Sequence, residues 1–356
     1  MSNSAISLKR FEGNPIISPV EDHPWEAKAT FNAAAIYEGG EVHLIYRAMS
    51  HDNVSVFGYA SSEDGFHINE RLPEPIYVPR EEFEKTVNPW GNSGCEDPRI
   101  TKIGNRIYMC YTAYDGKNPT RVALTSIKIS DFLEKKWNWT SPVLISPPGV
   151  DDKNACIFPE KLKNKYLIFH RRYSFICLDL VDSLDFDGSK FIGISKSIGY
   201  RPGDYWDSRK IGIAAPPIKT KDGWLLIYHG VSDQDRKYRL GAMLLNYDNP
   251  SIVTSRPYRF ILEPEEKYER EGQVPNVVFS CGAVAIEDTL FVYYGGGDKV
   301  IGVATANLTE LLAEITETTK KFHIRPSEGK VSRDLLISIR AKSCDIEHEF
   351  LQTQFF

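Results

Sequence analysis

One pattern recurs five times along the sequence, and this repetition is the strongest constraint on the fold. Each copy has a short apolar run, a polar turn and a second apolar run that ends in an aromatic residue. The second runs are Val42–Tyr46, Ile107–Tyr111, Tyr166–Phe169, Trp224–Tyr228 and Leu290–Tyr294. A repeat of about 60 residues, far from any helical period, is typical of small β-sheets arranged around one axis.

The repeats predict an all-β fold, a five-bladed β-propeller with short terminal extensions. We expect one domain over residues 1–356, with blades at roughly 31–88, 93–145, 152–200, 209–262 and 274–312 and a C-terminal extension at 313–356. The segment from Leu308 to roughly Lys320 is predicted to be helical. Leu335–Ile339 is expected to add a strand that closes the ring. Small residues in each third strand, as in Val56–Ala60, are expected to let neighbouring blades pack closely.

Composition excludes several classes of protein. The net charge of −5 argues against nucleic acid or an anionic membrane surface as a partner. The chain has no apolar run of about 18 residues and no apolar stretch near its start like that of a signal peptide. Its six cysteines are scattered and form no CxxC pair, so no metal site is predicted. We expect a cytoplasmic protein without a membrane partner.

The residues that follow the five aromatic ends are unusually polar. They are Arg47, Thr112, His170–Arg171, His229 and Gly295. If the repeats surround one axis, these groups from distant segments meet at one end of it. The repeat therefore predicts a polar site as well as a fold.

The segment Gly94–Arg99 holds two adjacent carboxylates, Glu96 and Asp97, followed by an arginine. Successive residues of a strand point to opposite faces, so the two carboxylates are expected to have different roles. One would face the axis as an acid, which we assign to Asp97, while the other anchors a loop. The alternative interpretation is a salt bridge with Arg99 in a turn.

A second set of residues is cationic and comes from the third and fourth repeats. Its members are Lys153, Arg171, Lys210 and His229, with Tyr238 close behind. Each alone is an ordinary solvated side chain. Together, at equivalent ends of apolar strands, they repel one another unless an anion lies between them. The pattern predicts a site for phosphate or a carboxylate.

Several short motifs, in order along the chain, resemble glycoside hydrolase family 130. They are Asn14–Ile17, Phe31–Ala34, Glu96–Arg99, Phe158–Lys161, Lys210–Gly212, Trp224–Gly230, Val274–Val277 and Tyr293–Gly295. The match runs from about residue 11 to residue 312, which is most of the chain. The resemblance implies a five-bladed β-propeller. It also implies an enzyme, because the family consists mostly of inverting phosphorylases of β-mannosides, with some hydrolases.

The resemblance also implies roles for individual residues. Asp97 matches the general acid, which passes its proton through a sugar hydroxyl, and Asn32, Arg47 and Asp298 match positions that hold the sugar. The phosphate-binding positions are matched by Lys153, Arg171, Lys210, His229 and Tyr238. Glu96, Arg99 and His170 complete the candidate substrate-binding set. Lys153 stands where some relatives have arginine, so it keeps the charge but lacks the bidentate fork.

The basic set favours phosphorolysis over hydrolysis. An inverting hydrolase needs a carboxylate base, roughly 6.5–9.5 Å from the acid, to activate water. Phosphate is already an anionic nucleophile and needs cations that bind it. We therefore predict a hexosyltransferase that reversibly transfers a mannosyl group from a β-mannoside to inorganic phosphate and releases α-D-mannose 1-phosphate. Phosphate is a co-substrate, and no cofactor is expected.

The predicted substrate is β-1,2-mannobiose or short β-1,2-mannooligosaccharides. Three alternatives remain open: a β-mannoside hydrolase of the same fold, a phosphorylase of β-1,4-linked mannosyl-glucose, mannosyl-N-acetylglucosamine or mannooligosaccharides, and a non-catalytic sugar-binding propeller. A homo-oligomer, a dimer or larger, is also compatible with the sequence.

Overall fold

The computed structural model describes residues 7–88 and 91–323, and these residues form an all-β structure. The segment 335–339, predicted to be a closing strand, lies outside them. The chain divides into one compact body at residues 1–316, which holds the described strands, and a second at residues 317–356. Whether residues 1–356 act as one domain stays a prediction. Among the described helices, none is both long enough and apolar enough to cross a membrane.

The strands fall into five antiparallel groups that follow the sequence repeats. Repeat one comprises β2 Ala29–Glu38, β3 Glu41–Met49, β4 Val54–Ser62 and β5 Glu70–Arg71. Repeat two comprises β6 Ser93–Ile103, β7 Arg106–Tyr114, β8 Arg121–Lys128 and β9 Val143–Leu144. Repeat three comprises β10 Asp152–Ile157, β11 Tyr166–Arg172, β12 Phe175–Val181 and β13 Lys196–Ile198. Repeat four comprises β14 Lys210–Ile213, β15 Ile218–Thr220, β16 Gly223–Val231, β17 Tyr238–Leu245 and β18 Val253–Ser255. Repeat five comprises β19 Val278–Ile286, β20 Thr289–Gly296 and β21 Val300–Asn307. All five apolar runs that end in an aromatic residue lie in the second long strand of their repeat, as predicted.

Short strand pairings add to the repeats and join two of them through the backbone. The two-residue strand β1, Lys9–Arg10, pairs with β21 and so adds an N-terminal strand to repeat five. Repeats one and two form a single sheet, because β4 and β6 make a short parallel pairing at Val54 and Ser55. Residues 7–88 and 91–323 contain three helices, α1 Ile129–Leu133, α2 Lys267–Arg270 and α3 Leu308–His323, and α3 confirms the helix predicted from the sequence.

The apolar core lies between consecutive repeats. The five large buried clusters are shared by repeats one and two, two and three, three and four, four and five, and five and one. In the last of these, Phe291 and Tyr293 of repeat five pack with Val42 and Leu44 of repeat one. Alternation along each strand presents apolar side chains to the neighbouring sheet. The order of the packing is therefore circular.

Near the end of each second apolar run, a ring pairs with a buried carboxylate; in repeats one, two, four and five this is the terminal tyrosine, and in repeat three it is His170, one residue after Phe169. We call these five contacts the aromatic–carboxylate pairs: Tyr46–Glu26, Tyr111–Glu84, His170–Asp152, Tyr228–Asp207 and Tyr294–Glu269. The five carboxylates have no solvent exposure. Burying a charge is costly unless hydrogen bonds and cations compensate it, so these pairs are structural elements of high consequence.

The small residues of the third strands make room for these aromatic rings. Gly58 lies opposite Tyr46 across the ladder, and a Cβ at Gly58 would lie 2.3 Å from the tyrosine Cζ. Gly302 stands in the same relation to Tyr294. These glycines therefore accommodate a ring from the adjacent strand of their own sheet, whereas the small residue Ala60 of the same segment lies in the core shared by repeats five and one.

Candidate active site

Backbone bulges aim three polar side chains towards the site. The first strands of repeats one to three each have a register shift at which two residues oppose one on the partner strand. The first bulged residues are Asn32, Asp97 and Asn154, with φ angles of 53°, 52° and 52°. Bulges re-aim a side chain and are common beside active sites. Asn32 Nδ2 donates a hydrogen bond of 2.8 Å to Asp97 Oδ1, which joins repeats one and two.

Asn154 is a site residue that the sequence analysis missed. It is buried, its Oδ1 has no hydrogen-bond partner, and a Cβ built on Gly212 would lie 3.0 Å from that oxygen. The signal that would have found it is the internal alignment of the repeats, since Asn154 occupies the position of Asn32 and Asp97. A buried polar atom without a partner is rare and indicates a place where a ligand can bind.

The residues that follow the aromatic ends lie beside these bulges. Arg47 pairs in register with Phe31, Thr112 with Glu96 and Arg171 with Lys153. His229 pairs with Gly212 in the fourth repeat. In these four repeats, the residue that follows the aromatic position therefore lies beside the first strand of its own repeat.

One half of the site holds three carboxylates whose charges act on Arg47, those of Glu96, Asp97 and Asp298. The Nη2 atom of Arg47 lies 2.8 Å from Glu96 Oε1, and its Nη1 atom lies 3.3 Å from Asp97 Oδ1. Its Nε donates to Ser55 Oγ at 3.0 Å, and its guanidinium lies over the ring of Phe31. This half carries more negative than positive groups, which suits the hydroxyls of a neutral sugar.

The environment separates the acidities of these carboxyl groups. Burial, together with the neighbouring Asp97 charge, raises the pKa of Asp298 to about 7. Burial also raises the pKa of Glu96 above its usual range. Burial acts in the same direction on Asp97, but Arg47, Arg99 and the Asn32 hydrogen bond outweigh it and lower its pKa. In the free site Asp97 is thus the most acidic of the three.

The other half of the site is cationic. Within the described residues, the ion pairs do not include Lys153, Arg171 or Lys210. The buried Nε of Arg171 has no hydrogen-bond partner, whereas Lys210 Nζ lies 2.5 Å from the Tyr238 hydroxyl and 4.7 Å from the centre of its ring. Cations gathered without a carboxylate form a site for an anion.

Burial and neighbouring positive charges lower the pKa values of Lys210 and His229. Burial, with the nearby charges of Arg171 and Arg209, lowers the pKa of Lys210 to about 8. Burial, with Arg171 and Arg99, lowers the pKa of His229 well below its usual value, so the ring is neutral. Both ring nitrogens of this fully buried histidine lack a partner. A bound anion would relieve the repulsion and supply the missing hydrogen-bond acceptors.

Two predicted substrate-binding residues have their polar atoms engaged elsewhere. Arg99 is 1% exposed and donates to the backbone oxygens of Ala214, Ile213 and Asp97. Both ring nitrogens of His170 lie 2.9 Å from acceptors, Nδ1 from the Asp152 carboxylate and Nε2 from the Gly193 carbonyl. The polar atoms of both residues are therefore engaged by the protein itself, although the charge of Arg99 still acts on Asp97 and His229.

The comparisons with known proteins agree on one family. The model of glycoside hydrolase family 130, described as β-1,4-mannooligosaccharide phosphorylase, matches residues 7–317. Two relatives from Thermoanaerobacter sp. are similar over most of their length. A β-1,2-mannobiose phosphorylase is 44% identical over 83% of this chain and 96% of its own, and a 1,2-β-oligomannan phosphorylase is 42% identical over 86% and 99%.

A solved structure shares the fold. The β-1,2-mannobiose phosphorylase from Listeria innocua, in complex with β-1,2-mannobiose, superposes with a TM-score of 0.71. It is 25% identical, and the match covers 86% of this chain and 99% of that one. Family model, relatives and structure all span the strands that carry Asp97 and the cationic set. The chain therefore belongs to glycoside hydrolase family 130.

Proposed function

We propose that this protein is an inverting phosphorylase of β-mannosides. The observation that carries the proposal is the division of the site into a carboxylate half around Arg47 and a cationic half without carboxylate partners. The first suits a sugar and the second suits inorganic phosphate. The relatives from Thermoanaerobacter, both phosphorylases, support the same conclusion.

In the proposed reaction, phosphate is held by Lys153, Arg171 and Lys210 and attacks the anomeric carbon of the mannosyl residue. The bond between that carbon and the glycosidic oxygen breaks, a bond to a phosphate oxygen forms, and the leaving oxygen receives a proton. Asp97 supplies this proton through a hydroxyl of the sugar. The product is α-D-mannose 1-phosphate, and the step is reversible. We propose that Asn154 and His229 contact the phosphate as well, because their buried polar atoms lack partners among the described residues.

The acidity of Asp97 fits this role once phosphate is bound. In the free site the pKa of Asp97 is lowered by Arg47 and Arg99 despite its burial. A phosphate dianion nearby opposes those cations and favours the protonated carboxyl group. The acid is therefore expected to take up its proton as the substrates assemble. No metal or organic cofactor enters the proposed reaction.

The proposal includes β-1,2 linkages as the substrate, namely β-1,2-mannobiose or short β-1,2-mannooligosaccharides. The two relatives at 42–44% identity are named for this linkage, whereas the family model is described by a β-1,4 linkage. We also propose that the five circularly packed repeats are the blades of a β-propeller. The five described cysteines are free and buried, which suits the cytoplasmic location that stays a prediction.

Phosphate dependence is the direct test. We expect the protein to cleave β-1,2-mannobiose with phosphate and to form mannose 1-phosphate, with turnover lost when phosphate is omitted. Asp97→Asn keeps the shape of the acid but removes its proton, and its kcat should fall by about 10²–10⁴-fold. The measurement is product analysis by chromatography, with mannoside binding by calorimetry as the control for folding.

Other outcomes would assign the alternatives. Equal turnover without phosphate would make the protein a hydrolase and contradict the proposal. Binding of mannosides with neither cleavage nor synthesis would leave a sugar-binding protein. A panel of β-1,4-linked mannosyl-glucose, mannosyl-N-acetylglucosamine and mannooligosaccharides tests the linkage separately from the reaction type.

A further inference from the structure

The aromatic–carboxylate pair of repeat three differs from the other four in composition and in position. Its aromatic member is His170, where the other repeats have tyrosine. Its carboxylate, Asp152, lies on β10 itself and immediately precedes Lys153, and His170 immediately precedes Arg171. The pair is therefore covalently next to two members of the cationic half.

The contacts of this pair are complete and buried. His170 Nδ1 lies 2.9 Å from both carboxylate oxygens of Asp152, and His170 and Asp152 have no solvent exposure. Arg172 Nε donates to Asp152 Oδ2 at 2.9 Å. The remaining ring nitrogen of His170 lies 2.9 Å from the carbonyl oxygen of Gly193. Strand alternation turns His170 and Arg172 to one face of β11 and Arg171 to the other.

The two cations in front of this pair are weakly held, since the buried Nε of Arg171 has no hydrogen-bond partner among the described residues. Lys153 and Arg171 oppose each other in register, and like charges directly opposite are destabilising. The backbone of both strands must nevertheless hold the two cations side by side before any phosphate has bound. The buried His170–Asp152 contact joins the residues directly behind them, so it is the element that can fix this spacing.

We propose that His170 and Asp152 are positioning residues for phosphate: they hold Lys153 and Arg171 in place without touching the substrate. This inference rests on the proposed phosphorylase function and assigns it a supporting element. The pair Tyr46–Glu26 has the corresponding place behind Arg47 in the carboxylate half of the site. The two pairs should therefore affect different substrates.

The test compares three variants of the full-length protein by steady-state kinetics. His170→Phe keeps a ring but removes both contacts, while Asp152 retains Arg172. It should raise the KM for phosphate by roughly tenfold or more, because small misplacements of binding groups are costly, and should leave the KM for mannobiose nearly unchanged. Tyr46→Phe leaves Glu26 paired with Arg71. This variant should raise the KM for mannobiose and leave the KM for phosphate nearly unchanged. His170→Asn keeps a donor near the position of Nδ1 and should recover part of the phosphate affinity.

The inference would be overturned if His170→Phe changed the KM of both substrates equally or left the phosphate KM unchanged. It would also be overturned if Tyr46→Phe changed only the KM for phosphate. If His170→Phe does not fold, His170→Asn carries the same comparison. Phosphate protection against thermal unfolding separates this inference from the proposed function. A wild-type protein that is stabilised by phosphate but cleaves no mannoside would contradict the function, while weaker stabilisation of the His170 variants would still support the positioning role.

Discussion

Single side chains in this site are tuned by their neighbours more than by their type. Burial and two nearby arginines lower the pKa of Lys210 to about 8, whereas burial and Asp97 raise that of Asp298 to about 7. A lysine and an aspartate that are ordinary in sequence thus titrate close to neutral pH. Such perturbation is typical of functional sites, and it comes here from like charges gathered in a buried place.

The lowered pKa of Lys210 predicts a pH dependence of phosphate binding. In the free protein Lys210 loses its proton as the pH rises through about 8, so the KM for phosphate should rise above that pH, by up to about tenfold per unit. Lys210→Arg keeps its charge throughout this range and should flatten the rise. The measurement is the KM for each substrate from about pH 6.5 to about pH 9.5, a range that brackets the lowered pKa of Lys210 and ends below the ordinary lysine pKa of about 10.4. A wild-type phosphate KM that stays flat across the range would contradict the assignment.

At the scale of the strand, one recurring geometry joins stability to the site. In repeats one, three and four, the second strand turns the ring that meets the buried carboxylate to one face and the next residue, Arg47, Arg171 or His229, to the other. A glycine opposite the ring leaves space for it in repeats one, four and five. Packing on one face of the strand therefore sets the position of the functional group on the other.

Gly58→Ala tests this geometry. The added Cβ would lie 2.3 Å from Tyr46 Cζ, so the ring must shift, and overpacking of this kind costs about 1–3 kcal/mol of unfolding free energy. Gly199→Ala is the matched control, since its Cβ would meet Phe175 at an ordinary 3.7 Å. Urea unfolding of both variants gives the comparison. Equal stabilities of the two would show that Gly58 is not needed to accommodate the ring.

At the scale of the whole chain, the N-terminal segment joins the last repeats. Strand β1 pairs with β21, Leu8 packs in the core shared by repeats four and five, and Arg10 pairs with the buried Glu269 at 2.8 Å. Glu269 also accepts a hydrogen bond from the hydroxyl of Tyr294. A residue near the start of the chain thus supports the aromatic–carboxylate pair of repeat five.

Arg10→Ala should destabilise the fold. It leaves the carboxylate of Glu269 buried without its cation, and breaking a buried ion pair costs on the order of 3 kcal/mol. Lys9→Ala is the control, because Lys9 is exposed on the same strand. Thermal unfolding by circular dichroism measures both. If Arg10→Ala unfolds at the wild-type temperature, the N-terminal strand contributes little to the stability of repeat five.

The sequence by itself determined the features that depend on local patterns. Alternating apolar runs and polar turns specify strands and hairpins, so the second strands and α3 were predicted close to their observed bounds. The repeat also indicated residues that follow the aromatic ends of the second strands, including Arg47, Arg171 and His229. These inferences succeed because strand formation and side-chain alternation depend on neighbours in the chain.

Tertiary structure decided everything that depends on distant partners. The bulge that directs Asn154 to the site exists only in the register between β10 and β11. His170 was expected to bind substrate, but Asp152 and Gly193, brought near it by the fold, engage its ring. The pairing of β1 with β21 joins opposite ends of the described chain. Registers, buried ion pairs and pKa shifts are set by groups far apart in sequence, and no local pattern encodes them.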